Sequence, residues 1–341
     1  MAVKGSGAFK RLDSEDITIS AESIVAPLWS TDQSTLTQFY TSSGQVAANT
    51  GNYFYEVYQS DPAVESETSY VQFDLAYGHK LGSGSAPYNI NVVGKSPTST
   101  IYGQYRTLIY GDEDADFVFG THESEGIYVI NAERARYKEK LFPGSLNLSL
   151  TVGANTLELT DNSKDVSVVS FVDGGRIYDI VSGSYGLPYS GTGFTPNSGS
   201  YGKFLPDIGV IVLNADALDG AAVDGGLVLG TTLTDTPNNL NKIYNAISGG
   251  RSTMLKSEET ISSNYVFVRV RNSEFNYSTN PSNITSSGEL RWDVMINTPQ
   301  SYITTVGMYN DTNDLLAVAK LSRPLLKDFT KEALVRIKLD Y

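Results

Sequence analysis

The chain has no cysteine and only two histidines in 341 residues. Without cysteine there is no disulfide framework and no thiolate metal site. With His79 and His122 alone, neither an H-x-x-x-H nor an H-x-x-E-H spacing occurs, and a zinc site needs about three N, S or O ligands in fixed geometry. Positive charge is scarce: 25 Lys and Arg stand against 38 Asp and Glu, a net charge of −13. A nucleic-acid partner is therefore not expected, because phosphate recognition needs a basic face. No apolar run approaches the ~20 residues of a membrane helix. Met1 to Arg11 lacks an apolar signal core, so a chain made and retained in a cytoplasm is expected.

The hydrophobic fraction is 40%, enough for a core. The 31 glycines and 22 tyrosines beside 12 prolines favour strands and turns over long helices. The expected class is mainly β, with antiparallel β-sandwich-like domains and two short helices. The expected division is an N-terminal mixed α/β domain at 1–144, a middle β domain at 145–262 and a C-terminal antiparallel β domain at 263–341.

Period-2 alternation marks strands at Ile17–Ile19 and Thr156–Thr160, and apolar runs mark Ile127–Ile130 and Leu146–Val152. Val166–Val172 is nearly continuous in apolar residues, as a strand buried on both faces would be; Ile177–Val181 and 208–218 follow. Five segments at 265–275, 289–297, 301–310, 315–325 and 333–341 make the last third the clearest β region, with a turn at Asn310 to Asp314. Residues 30–52 read as a long loop or weak hairpin, and 82–87 and 183–203 as loops. Helical spacing places Ile101, Tyr105, Leu108 and Ile109 on one face, with Ser96 as cap, Pro97 at the first position and Gly111 as stop. A second helix runs from Pro237, with Leu240, Ile243, Tyr244 and Ile247 on one face and Gly249 as stop.

Asp112, Asp114, Asp116 and Glu123 fall at positions 1, 3, 5 and 12 of a calcium loop, but Phe117 occupies the position of the sharp-turn glycine and a strand follows. A solvated loop is the favoured reading, and no cofactor is expected. Neither histidine accompanies a G-x-S-x-G elbow, and no glycine cluster extends to a P-loop. A carboxylate pair of the glycosidase kind has no local motif and stays open. Trp29, Trp292 and the Tyr/Ser/Gly stretch around Tyr201 suit either a sugar platform or interface anchors. Arg269, Arg271 and Arg336 alternate with Val and Ile, as on strands with one wet face. Tyr201, Trp292 and these arginines are the interface candidates.

The stretch "TSTIYGQYRTLIYGDEDADFVF", followed by "EGIYVINAERARYKEKLFPGSLNLSL", and the closing run from "NSEFNYSTNP" to "ALVRIKLDY" resemble virion structural proteins of T4-like phages of marine bacteria and cyanobacteria. The resemblance covers about residues 90–160 and 265–341 and carries no catalytic signature. It implies a non-enzymatic tail, baseplate or neck component, assembled in the host cytoplasm into the virion. The partners it implies are other tail or baseplate proteins, in a homo-oligomer or a hetero-assembly. A receptor- or glycan-binding tail-fibre module is the alternative, and a tail-associated cell-wall hydrolase the remote one.

Overall fold

The computed structural model describes residues 10–29, 35–41, 54–65, 67, 69–82, 98–189, 198–232 and 236–340. Ser96, Pro97, the side chain of Pro237, most of the loops expected at 30–52 and 82–87, and residues 190–197 of the one expected at 183–203 lie outside them. The fold is mainly β, and every resolved strand register is antiparallel. The chain divides into two compact units. Ile24–Glu259 forms the large one, and Met1–Ser23 joins Thr260–Tyr341 in the small one.

The large unit is built on one curled 13-stranded sheet. Its central strands are Val71–His79, Gly126–Ala132, Val210–Asn214 and Gly202–Leu205, and pairing continues through Gly175–Ser184, Asn155–Asp161 and Asn147–Val152. Strands on either side of residue 144, Gly126–Ala132 and Asn147–Val152, thus belong to one sheet. Gly126–Ala132 is covered on both faces. Tyr128, Ile130 and Ala132 enter the main core, while Ile127 and Val129 enter a second one.

A helix covers each face. Thr236–Gly250 lays Leu240, Ile243 and Ile247 into the main core, with Tyr244 partly buried against it. Thr98–Tyr110 buries Ile101, Tyr102 and Ile109 in the second. Leu108, expected on that face, is exposed, and Tyr102 takes its place. Gly111 ends the helix at φ +68°, a conformation glycine adopts without steric cost. Gly78 lets the helix approach: a Cβ there would sit 2.7 Å from the Tyr102 backbone nitrogen. The Tyr102 hydroxyl accepts from Phe117 N and donates to Ser124 O, both at 3.1 Å, which pins the hairpin Phe117–Phe119/His122–Ser124 to the helix.

Three expectations change here. Val166–Val172 is not a doubly buried strand. Only Ser170–Val172 pairs, with Gly175 to Ile177, and Val168 and Phe171 stay exposed. A three-residue edge ladder has no layer stacked on it, so apolar content alone does not bury it. The loop expected at 183–203 contributes strand Gly202–Leu205, and Tyr201 beside it is buried. The strand expected over 208–218 stops at Asn214, whose Oδ1 accepts from Asp216 N and Ala217 N and starts helix Ala215–Asp219.

The small unit is a two-layer sandwich. Residues 263–270 pair with 333–340. Val266, Val335 and Ile337 form the centre of its core and pack with Val306, Met308, Ala319 and Leu321 of the hairpin Gln300–Tyr309/Leu315–Asp328, and with Leu12. Asn310 builds the hairpin turn by accepting from Thr312 N at 3.0 Å and Asp314 N at 2.7 Å. Ile303 pairs with Leu325 but Thr305 with Lys320. Residues 321–324 therefore bulge opposite Thr304, which is where Pro324, lacking an N–H, fits a strand. Leu290, Trp292, Val294 and Ile296 alternate as a strand would, yet Asp293–Asn297 is a short exposed helix. Among the described residues only an isolated bridge, Ile284 to Leu290, pairs with this stretch, so the alternation has no ladder to register against.

Candidate interaction surface

The register of the small unit fixes which side chains share its outer face. Tyr265 faces Lys338, Phe267 faces Arg336, and Arg269 faces Leu334. Cross-strand partners point the same way, so these six line one face while the valines of the same strands fill the core. The Arg336 guanidinium lies 5.7 Å from the Tyr265 ring centroid and the Lys338 ammonium 5.9 Å away. Lys338 is also paired with Asp340 at 3.1 Å. Arg271 lies just past the ladder, where its backbone N–H donates to Glu274.

The other layer is apolar outside as well. Tyr302, Tyr309, Leu315, Leu316 and Val318 of the hairpin are exposed, as are Trp292, Val294 and Ile296 of the excursion that precedes it. Fully buried apolar side chains of this unit are only Val266, Val270, Ala333, Val335 and Ile337 among the described residues. The large unit shows the reverse balance. Large contiguous exposed apolar patches are a general feature of contact surfaces.

Charge is divided as unequally. Residues 1–23 and 260–341 hold 12 Lys and Arg against 12 Asp and Glu, so 13 and 26 of the chain's 25 and 38 fall within 24–259. The small unit is formally neutral and the large unit carries the whole −13. Asp112, Glu113 and Asp114 are exposed on the loop after the first helix, and Glu123 and Asp216 are exposed as well. Lys80 bridges Asp116 at 2.7 Å and Glu123 at 3.2 Å, and the carboxyl of Asp116 is held below its usual range by that lysine. His122 Nε2 meets Asp216 Oδ2 at 2.8 Å. Burial pushes the His79 pKa down, against the pull of Glu125 and Asp216.

The calcium-loop quartet is accordingly split. Asp116 and Glu123 share an ammonium, whereas Asp112 caps its own turn through Asp114 N at 2.8 Å. Tyr201 is in the core with its hydroxyl donating to Gly225 O at 2.7 Å, and Trp29 is buried too. Neither can stack on a sugar. Trp292, Arg269 and Arg336 are exposed as an interface role requires. Sequence reasoning missed the pairing of His122 with Asp216, because it joins segments ~90 residues apart in the chain.

A second carboxylate grouping lies on the sheet itself. Asp74 faces Glu56 on one neighbouring strand and Asn131 on the other, and its Oδ1 finds no hydrogen-bond partner among the described residues. Burial, then Glu56 and Glu133, raise its pKa from 3.8 to about 6. A carboxyl raised in the folded state costs nothing below the unfolded value and destabilises progressively as pH rises through the folded one. Asp74→Asn should therefore stabilise the chain by ~1 kcal/mol at pH 7.5, the shift being discounted for partial solvent access, and leave pH 4 unchanged. Urea melts at both pH values test this; an equal gain at both would exclude a protonation origin. A depression of about 470 Å³ over the first helix is lined by Thr100, Gly103, Gln104, Arg106, Thr107 and Glu113, a set without a nucleophile or histidine.

No protein-family model matches the chain, and neither a curated protein nor a solved structure matches it.

Proposed function

We propose that this chain is a structural subunit that acts through protein–protein contacts, without catalysis of its own. The observation that carries this reading is the inverted small unit, in which large apolar side chains on both outer faces outnumber those in its core. Such a unit gains most of its apolar burial from a neighbour. The phrases at 90–160 and 265–341 that resemble T4-like virion proteins make a tailed-phage particle the proposed setting, with tail or baseplate as the proposed place. The burial of Trp29 and Tyr201 removes two of the aromatic anchors that a glycan-binding reading would use.

The test is direct. Mass spectrometry of purified particles of a phage encoding this chain should find it in stoichiometric amount. Trp292, open in the free chain, should be shielded from hydroxyl-radical oxidation in the particle. Particles without the chain would overturn the virion reading, and a Trp292 equally oxidised in both states would remove it from the interface.

A further inference from the structure

Strand Ala333–Asp340 ends its sheet. It pairs with residues 263–270 along one edge, and no strand lies beyond it among the described residues. In an antiparallel pair alternate residues turn N–H and C=O away from the partner. A row of backbone donors and acceptors therefore faces outward along a strand of eight residues. The side chains beside this row have a definite chemistry. Val335 and Ile337 point into the core of the small unit and are buried. Leu334, Arg336 and Lys338 share the outer face, with Arg269 diagonal to Arg336 across the ladder. Lys338 is held by Asp340, whereas neither Arg269 nor Arg336 enters an ion pair among the described residues. Arg336 lies over the Tyr265 ring instead. Two exposed guanidinium groups without a carboxylate, in a chain of net charge −13, are matched to an acidic partner.

We propose that the open edge of strand Ala333–Asp340 receives an extended acidic segment of a partner protein as an added strand. Backbone hydrogen bonds along the edge hold it. Its side chains alternate: carboxylates on the outer face meet Arg336, with Arg269 one strand further in, and apolar groups on the inner face extend the core at Val335 and Ile337. A second copy of the same strand fits less well. Antiparallel self-pairing centred on Arg336, Ile337 or Lys338 sets one of these two cations against one of the two in the other copy, a like-charge contact. A single-stranded nucleic acid also fits less well, because the Tyr265 ring that would stack on a base already lies under Arg336 and Lys338. The proposal rests on the assembly-subunit reading and specifies the chemistry of one partner.

The probe is a fluorescein-labelled peptide of alternating glutamate and valine, ~10 residues long so that it spans the strand. It is titrated with the full chain and followed by anisotropy. The peptide should bind, salt should weaken the binding, and amide hydrogen exchange within 333–340 should slow. Arg269→Glu with Arg336→Glu should weaken it by at least ~10-fold. Both positions are exposed, and circular dichroism checks that the variant folds. A lysine–valine peptide should not bind. The glutamate–valine peptide with every amide N-methylated should lose at least ~10-fold as well, because it keeps its charge but cannot donate to the edge. A wild-type chain that does not bind the probe up to ~1 mM overturns the proposal. So does an N-methylated peptide that binds as well as its parent, which would leave charge attraction alone. So does tighter binding of oligothymidylate than of the peptide, which would point to nucleic acid. A failed peptide with Trp292 still shielded in particles separates the two failures: the assembly role would stand and the strand addition would not.

Discussion

Gly250→Val should destabilise the large unit by ~3 kcal/mol, visible as a fall in Tm of roughly 6–12 °C. Gly250 closes helix Thr236–Gly250 directly against strand Asn147–Val152. A Cβ there would lie 1.8 Å from the Ser149 carbonyl oxygen and 2.3 Å from its carbon. Neither atom can move without breaking the sheet, since Ser149 is paired with Glu158 on its other side. Even Gly250→Ala should destabilise, although glycine to alanine inside a helix ordinarily gains up to ~1 kcal/mol. The paired control is Gly103→Ala in helix Thr98–Tyr110, where a Cβ would meet only Arg106 Nε at 4.0 Å; it should stabilise. Thermal melts of the two alanine variants must move in opposite directions. If both rise, helix propensity governs and the close approach is not a constraint.

Lys327→Met should cost the small unit ~3 kcal/mol. The lysine side chain is fully buried. Its ammonium donates to Asn272 O at 3.0 Å, Asn276 Oδ1 at 2.6 Å and Asp328 O at 2.9 Å. Methionine keeps the volume but leaves those three acceptors dry, and Asn276 is itself buried. This ammonium ties the start of the 271–298 excursion to the hairpin, so its loss should free the excursion before the unit unfolds. Limited proteolysis should then cut within 271–298, and the anisotropy of Trp292 fluorescence should fall. Wild-type protease resistance in a folded Lys327→Met chain would show that another contact holds the segment.

Much of the fold is legible in the sequence where a repeat is long enough to decide a face. Alternation in 301–310, 315–325 and 333–341 matches strands Gln300–Tyr309, Leu315–Asp328 and Ala333–Asp340. Leu240, Ile243 and Ile247 are buried as their spacing requires. What fails is whatever depends on a distant layer. The apolar character of Val168 and Phe171 is plain, but whether another element covers them is not local information. Gly249 reads as a helix stop, and only strand Asn147–Val152 shows that Gly250 beside it is a packing seam. The basic face was visible as alternating arginines. The pairing of His122 with Asp216 was not visible, because only the fold brings the two together.

The small unit is assembled from both ends of the chain, with residues 24–259 folded between them. This imposes an order in time. Strand Ile17–Pro27 leaves the ribosome early, yet the strand it joins in the sheet, Lys256–Val270, follows ~230 residues later, roughly 10–50 s at ordinary elongation rates. The large unit has every strand of its main sheet by Met254 and can fold during that wait. The arginine-bearing face needs strand Ala333–Asp340 as well, so it is completed last. A truncated or stalled chain would therefore carry a folded large unit without the finished arginine-bearing ladder.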